Sequence, residues 1–394
     1  LLKHTHYGFS PDGTAEAIAA TQQMWAAVAD FVVEETDRDP NVSVATLNHS
    51  LCLLTVEPMP PEAVQESPEE QCETRRGNAS EVARLAPHLL LVAPSVGESG
   101  TVFILGPRRG KTAVLWSIAD AGPQRLDPHD LIGAWRPERA GDTCYSKSPA
   151  DREGACGPLY ANVGVLPPDD KGRPRFYIDA GYEQGAGASI GKQTSIWRWE
   201  GERAELQWID MYSFMIDQGI GTSYDEDKGV LVIGQKGYFR TMYDCGSCIE
   251  RPMEERVLMT KTGLEDLGVR SLVPEMDAID EFLWRLSHRL PTSEIASAQA
   301  SGLLRSQVQQ ATKESRKIDP TSYSVGMVSG LAKLTKAGAE VCLETDELGV
   351  LIIQMRRTAD GGDYIMHVAQ PNGAQAACPE RAYYMAPDGN PSGR

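Results

Sequence analysis

The sequence predicts a mainly β fold, propeller-like or a sandwich, made of many short antiparallel strands with an N-terminal helix and a helical insertion. Three observations predict it. Strand-like runs recur roughly every eight to twelve residues from His88 onward. Gly-rich or acidic turns (GESG, PDDKG, DEDKG, GQKG) punctuate them. Clear helical periodicity is confined to the start of the chain and to the stretch after Pro274. The alternative is an α+β arrangement, in which the last strands form a lobe with the late helices.

Taken in order, Ser10 or Thr14 opens a helix to about Glu35, with Ile18, Trp25, Val28, Ala29 and Val32 on one face. Asp39-Pro40 ends it, because the residue before proline is pushed out of the α region. Asn41–Val56 reads as two short strands, and Glu57–Ala79 as a Pro- and Glu-rich surface excursion. The strand candidates that follow are Leu89–Ala93, Val102–Leu105, Ala113–Ile118, Leu159–Val165, Arg175–Ala180, Thr194–Trp199, Glu205–Met211, Val230–Ile233, Tyr238–Tyr243 and Arg256–Lys261. Pro274 begins an amphipathic helix whose face is Met276, Ile279, Phe282, Leu283, Leu286 and Leu290. A second helix is expected over Thr292–Gln310, a loop over Ala311–Ser324 and a short helix at Gly326–Lys336. Ala339–Glu344, Val350–Arg356 and Tyr364–Ala369 read as a β-meander.

This divides the chain into an N-terminal helical segment (1–40), a β-rich domain (41–270) with a surface loop at 57–80, a helical insertion (271–338), a C-terminal meander (339–385) and a tail (386–394). In the propeller-like version the meander joins the strands of 41–56 and closes the β domain.

Composition narrows the function classes. Thirty-eight basic against 55 acidic residues give a net charge of −17, a field that repels nucleic acid and anionic lipid. No apolar run reaches the roughly 18 residues a membrane-spanning helix needs. The chain opens on Leu1 rather than Met, which suggests a processed or trimmed form. The eight cysteines, Cys52, Cys72, Cys144, Cys156, Cys245, Cys248, Cys342 and Cys378, form four sequence-local pairs in that order. An even count spread this way points to disulfides and an extracytoplasmic location, periplasmic or secreted.

Each motif has a plainer reading. GPRRGKT at Gly106–Thr112 is one residue short of a phosphate loop and carries Pro107, which has no amide to offer, so a basic hairpin turn is expected. Ser189 in GASIG matches a nucleophile elbow, with Asp277 or Asp346 and His288 or His367 as later partners, but the downstream KQTSIWRW is strand-like where the elbow needs a helix. Cys245-Gly246-Ser247-Cys248 lacks the helix of a redox pair and reads as a structural disulfide. Asp225 and Asp227 begin like a calcium loop, which Gly229 then breaks, so a solvated hairpin tip is the plainer account, no cofactor is expected, and calcium is the one metal to test. His4 and His6 have no acid cluster beside them. Asn41, Asn48 and Asn78 open N-x-[ST] triplets and are given no role. Gly185 and Gly187 in a Gly-rich connection, followed by Trp197 and Trp199 on one strand face, form a candidate binding surface; a core role is the plainer account of the tryptophans.

The expected function is therefore an exported, disulfide-stabilised, non-catalytic binding or scaffold protein for a protein, peptide or glycan ligand. The alternatives are a secreted serine hydrolase using Ser189 and a subunit of an extracellular assembly.

Overall fold

The computed structural model describes residues 15–55, 72, 80–94, 100–118, 160–184, 189–209, 213–215, 222–238, 250–318, 327–335, 338–345, 348–359 and 362–371. Two compact units emerge. One comprises Leu1–Asp217, Thr222–Ile233 and Arg256–Leu267; the other comprises Gln218–Gly221, Gly234–Glu255 and Gly268–Arg394.

In the first unit, α1 (Ala15–Arg38) places Met24, Val28 and Val32 on one buried stripe at intervals of four residues. α2 (Val44–Thr55) follows a five-residue break. Here the expectation of two strands over Asn41–Val56 is corrected. Ser43 caps the helix, its Oγ accepting the Thr46 amide at 3.0 Å, and Leu47 and Leu51 share one buried face. The cap and the four-residue apolar spacing outweigh the β-branched Val42, Val44 and Thr46. Asn48 then locks α2 onto β1 (Glu81–Ala86): its Oδ1 accepts the Val82 amide at 2.6 Å and its Nδ2 donates to the Val82 carbonyl at 3.0 Å. The middle triplet asparagine is thus a structural residue.

β1, β2 (Leu89–Ala93), β3 (Phe103–Arg108) and β4 (Lys111–Ser117) form an antiparallel sheet in chain order. Alternation assigns its faces. Leu90, Val92 and Leu105 meet the helices, while Leu91, Ala93 and Ile104 point the other way. The GPRRGKT run is a hairpin: Arg108 pairs with Lys111, and Arg109 and Gly110 take φ of 54° and 80°. Two positive φ values in a two-residue loop are the twist-matched hairpin geometry, which glycine adopts readily.

A nine-stranded sheet contains β5 (Tyr160–Leu166), β6 (Arg175–Gln184), β7 (Ser189–Trp199), β8 (Ala204–Ile209), β9 (Ser213–Met215), β10 (Thr222–Asp225), β11 (Val230–Tyr238), β12 (Glu250–Met259) and β13 (Leu264–Ser271). Its main path runs β13-β12-β11-β9-β7-β6-β5, with β8 on β7 and β10 on β11. Between it and the first sheet, Leu91, Ile104 and Trp116 pack against Phe176, Ile178, Trp197 and Leu206. The arrangement is sandwich-like. Propeller blades repeat one four-stranded sheet, whereas the sheets described here have four, nine and four strands.

In the second unit, α3 (Pro274–Ser287) starts with proline at a position that has no amide partner to lose. α4 (Ala298–Ile318) runs past Gln310, so Ala311–Ile318 forms two further turns where the loop over Ala311–Ser324 was expected; 319–324 lie outside the described residues. The short helix expected at Gly326–Lys336 is instead strand β14 (Met327–Thr335), paired along its length with β15 (Gly338–Thr345). Pairing partners decided a segment whose own composition is ambiguous. β16 (Gly349–Arg357) and β17 (Asp363–Ala369) complete a meander that is its own sheet. Both helices pack on one face, burying Ile279, Phe282, Leu304 and Val308 against Val341, Leu351, Ile353 and Ile365. This is the α+β lobe of the alternative reading. At β17, Ile365 bridges to Ala296, and Gln299 exchanges hydrogen bonds with the Val368 amide and carbonyl at 3.2 and 3.1 Å.

Candidate functional site

A concave feature built by the described residues lies where β6, β7 and β8 meet their turns. Alternation along β7 sends Trp197 and Trp199 inward and leaves Arg198 on the opposite side. Arg198 faces Glu205 of β8 across the ladder. The Asp169–Gly172 turn, closed by Gly172 at φ 73°, brings Arg173 to the same place. Arg173, Arg198, Glu200, Glu202, Arg203 and Glu205 line an open groove of about 660 Å³.

Its charges form an alternating chain. Asp169 accepts from Arg173 Nε at 2.7 Å and Nη2 at 2.6 Å, and from the Lys171 and Arg173 amides at 3.0 and 2.9 Å. Arg173 Nη1 donates to both Glu200 oxygens at 3.0 Å. Arg198 Nε reaches Glu200 at 2.5 Å and its Nη2 reaches Glu205 at 2.7 Å. Burial works against the Asp169 carboxylate, but these bonds and the Arg173 charge outweigh it and hold the group down at about 2. Glu200 is lowered in the same balance, by Arg198 and Arg173. The groove therefore offers fixed guanidinium and carboxylate groups over the whole physiological range. Hydrogen bonding and ion pairing with a polar partner are what this chemistry supplies.

Arg175, the ladder partner of Arg198 on β6, has a different character. Arg175 is 3% exposed and donates only to carbonyls: Nε to Pro167 at 2.7 Å, Nη1 to Thr260 and Gly263 at 3.0 and 3.1 Å, and Nη2 to Pro168 at 3.4 Å. It ties the β5–β6 connection to the β12–β13 turn.

Trp197 and Trp199, expected as a candidate contact surface, are 0% and 4% exposed. Trp197 lies 5.7 Å from Trp116 of the facing sheet, and its Nε1 donates to Ser195 Oγ at 2.8 Å. These rings are core, so they present no shelf to a ligand. Gly185 and Gly187 lie outside the described residues. Ser189 opens β7 opposite Gln184, and the chain continues as strand through Trp199, where an elbow turns into a helix. Of its suggested partners, Asp277 holds Arg251 in a two-point contact at 2.7 and 3.0 Å, and the His288 ring stacks on Trp284 at 3.7 Å. His367 is exposed on β17, and Asp346 is outside the described residues.

Asp225 accepts from Lys228 Nζ at 2.6 Å and from the Lys228 amide at 3.1 Å, which lowers its pKa; Asp227 is exposed. Among the described residues, no three metal-ligating side chains converge. Cys52 and Cys72 are bonded to each other. Cys342 is also disulfide-bonded. Cys144, Cys156, Cys245, Cys248 and Cys378 lie outside the described residues.

Sequence reasoning missed the charged groove and the Arg175 clamp. A usable signal was present in WRWEGERAE, where charge alternates with apolar residues on both arms of a turn. No protein-family model and no curated protein matches this sequence.

One half-buried acid gives a pH prediction. Glu81 lies on β1 and accepts the Val163 amide of β5 at 3.4 Å. Burial raises its pKa above the usual 4.5, and that hydrogen bond only partly opposes the rise. A carboxyl raised in the folded state adds stability below its unfolded value, and the contribution is lost as pH climbs through the folded value. Glu81→Gln keeps the accepting oxygen and never ionises. Its melting midpoint is expected to exceed the wild type's near about pH 8, and the gain should vanish near about pH 4. An unchanged midpoint at the higher pH would refute this.

Proposed function

We propose that this chain is an exported, disulfide-stabilised, non-catalytic binding or scaffold protein, acting in a periplasmic or secreted setting. The observation that carries the reading is the Cys52–Cys72 bond, which joins two cysteines 20 residues apart across an acidic, proline-rich stretch of sequence. Such bonds persist in oxidising compartments and are reduced in the cytosol. The disulfide at Cys342 supports the same setting. The contact surface of this reading is the groove around Arg173, Arg198 and Glu205 rather than the tryptophans, because its groups are partly exposed and held in fixed geometry.

Two measurements on native material test it. Non-reducing peptide mapping is expected to recover Cys52 joined to Cys72, and recovery of free thiols at both positions would sink the export argument. A serine-directed fluorophosphonate probe is expected to leave the protein unlabelled. Stoichiometric labelling that disappears in Ser189→Ala would replace the binding role with the hydrolase alternative.

A further inference from the structure

The hairpin joining β3 to β4 carries a run of positive charge that the fold leaves unneutralised. Arg108, Arg109, Gly110 and Lys111 are all exposed. Among the described residues, the side chains of Arg108, Arg109 and Lys111 have no hydrogen bond or ion pair. Asp37 comes close enough for Lys111 to act on its charge, yet its carboxylate accepts the Thr112 amide at 2.9 Å. Two features of the tip also run against local preference. Arg108 and Lys111 are ladder partners, so their side chains leave one face, and like charges directly opposite each other destabilise a strand pair. Arg109 is held at φ 54°, where Asn, Asp or Gly is the ordinary occupant of a two-residue hairpin loop. Departures from local rules that fall together are characteristic of functional sites.

We propose that this tip binds a phosphate group through the side chains of Arg108, Arg109 and Lys111. Opposed residues of an antiparallel ladder have Cα atoms about 5 Å apart, so the Arg108 guanidinium and the Lys111 ammonium can close on one anion from two sides. Arg109 adds a third set of donors from the turn between them. A phosphate monoester carries a charge of about −1.5 to −2 at pH 7 and three acceptor oxygens, enough to answer three cations. A carboxylate brings one charge and two oxygens. The mode differs from a phosphate loop, in which backbone amides cradle the anion. The net charge of −17 repels long polyanions. Screening over roughly 8 Å leaves a compact anion at the tip answering mainly to the local cations. The ligand is therefore a small phosphorylated molecule or free phosphate, not a nucleic acid or an anionic membrane. The site is separate from the groove and does not depend on the proposed binding role.

Calorimetric titration of the full chain with inorganic phosphate and with glucose 6-phosphate, at constant ionic strength made up with NaCl, tests it. One saturable event per chain is expected, with a dissociation constant on the order of 1 mM. The double variant Arg108→Gln with Lys111→Gln is expected to weaken binding about tenfold or more. Without phosphate it should melt above the wild type, because the cross-strand repulsion is gone. Binding lost in a protein that is more stable cannot be blamed on misfolding. Arg305→Glu, at an exposed position of α4, makes the same change of net charge and is expected to bind as the wild type does. Tighter binding of glucose 6-phosphate assigns the site to a phosphorylated molecule, and equal or weaker binding assigns it to free phosphate; either upholds it. A wild type with no saturable binding, a double variant that binds as well as the wild type, or an equal loss in Arg305→Glu overturns the proposal.

Discussion

Trp197→Ala is expected to cost about 3–5 kcal/mol of unfolding free energy, enough to leave a large fraction of the molecules unfolded at moderate temperature. The ring is fully buried, sits opposite Phe176 and Leu206 in the ladder, and meets Trp116 from the facing sheet. Removing it opens a cavity where two sheets interlock and leaves the Ser195 hydroxyl without its indole donor. The neighbour one position along is the built-in contrast. Arg198→Ala, on the outward face of the same strand, is expected to cost no more than about 1 kcal/mol, since partly exposed ion pairs contribute little. Urea unfolding of the two variants gives the comparison. Equal losses would mean that β7 does not alternate as described.

Arg175→Ala is expected to be of similar severity, about 3–5 kcal/mol, for a different reason. One guanidinium, itself buried, serves four carbonyl oxygens of two connections, and alanine removes that shared donor and leaves a cavity in its place. Burial works against the arginine charge and lowers its pKa, so the site is held by the geometry of its hydrogen bonds. Lysine cannot replace it, because a single ammonium at the end of a flexible stem does not fork to both segments. Arg175→Lys should therefore recover little. Hydrogen exchange should show protection lost together near Pro167–Pro168 and at Thr260–Gly263. A lysine variant as stable as the wild type would refute the clamp.

How much of this was legible beforehand depends on the range of the signal. Turn chemistry is local, and the hairpin at Arg109-Gly110, the stop at Asp39-Pro40 and the α3 start at Pro274 were all readable from a few residues. The strand texture was readable for the same reason, and Leu89–Ala93 is β2 to the residue. Segments whose state depends on partners were not. β14 has no strong pattern of its own and is a strand through its ladder with β15. β1 escaped notice because EVARLA alternates weakly until Asn48 and Leu90 are set against it. At the groove, Asp169 and Glu200 are 31 residues apart in sequence yet share Arg173. Only the ladder between β6 and β7 brings them together. Arg175 gave no warning at all: an arginine that binds carbonyls leaves no acidic counterpart to look for.

Gln299 has a meaning for the molecule's life before it is fully assembled. An amide side chain that mimics a neighbouring backbone occupies the Val368 positions which an incoming chain would need, and Ala296 does the same at Ile365. The last strand of the meander is thereby stoppered by its own polypeptide as soon as α4 docks. Until then that rim is open to pairing with another strand, so docking of the helix is what closes the lobe's edge.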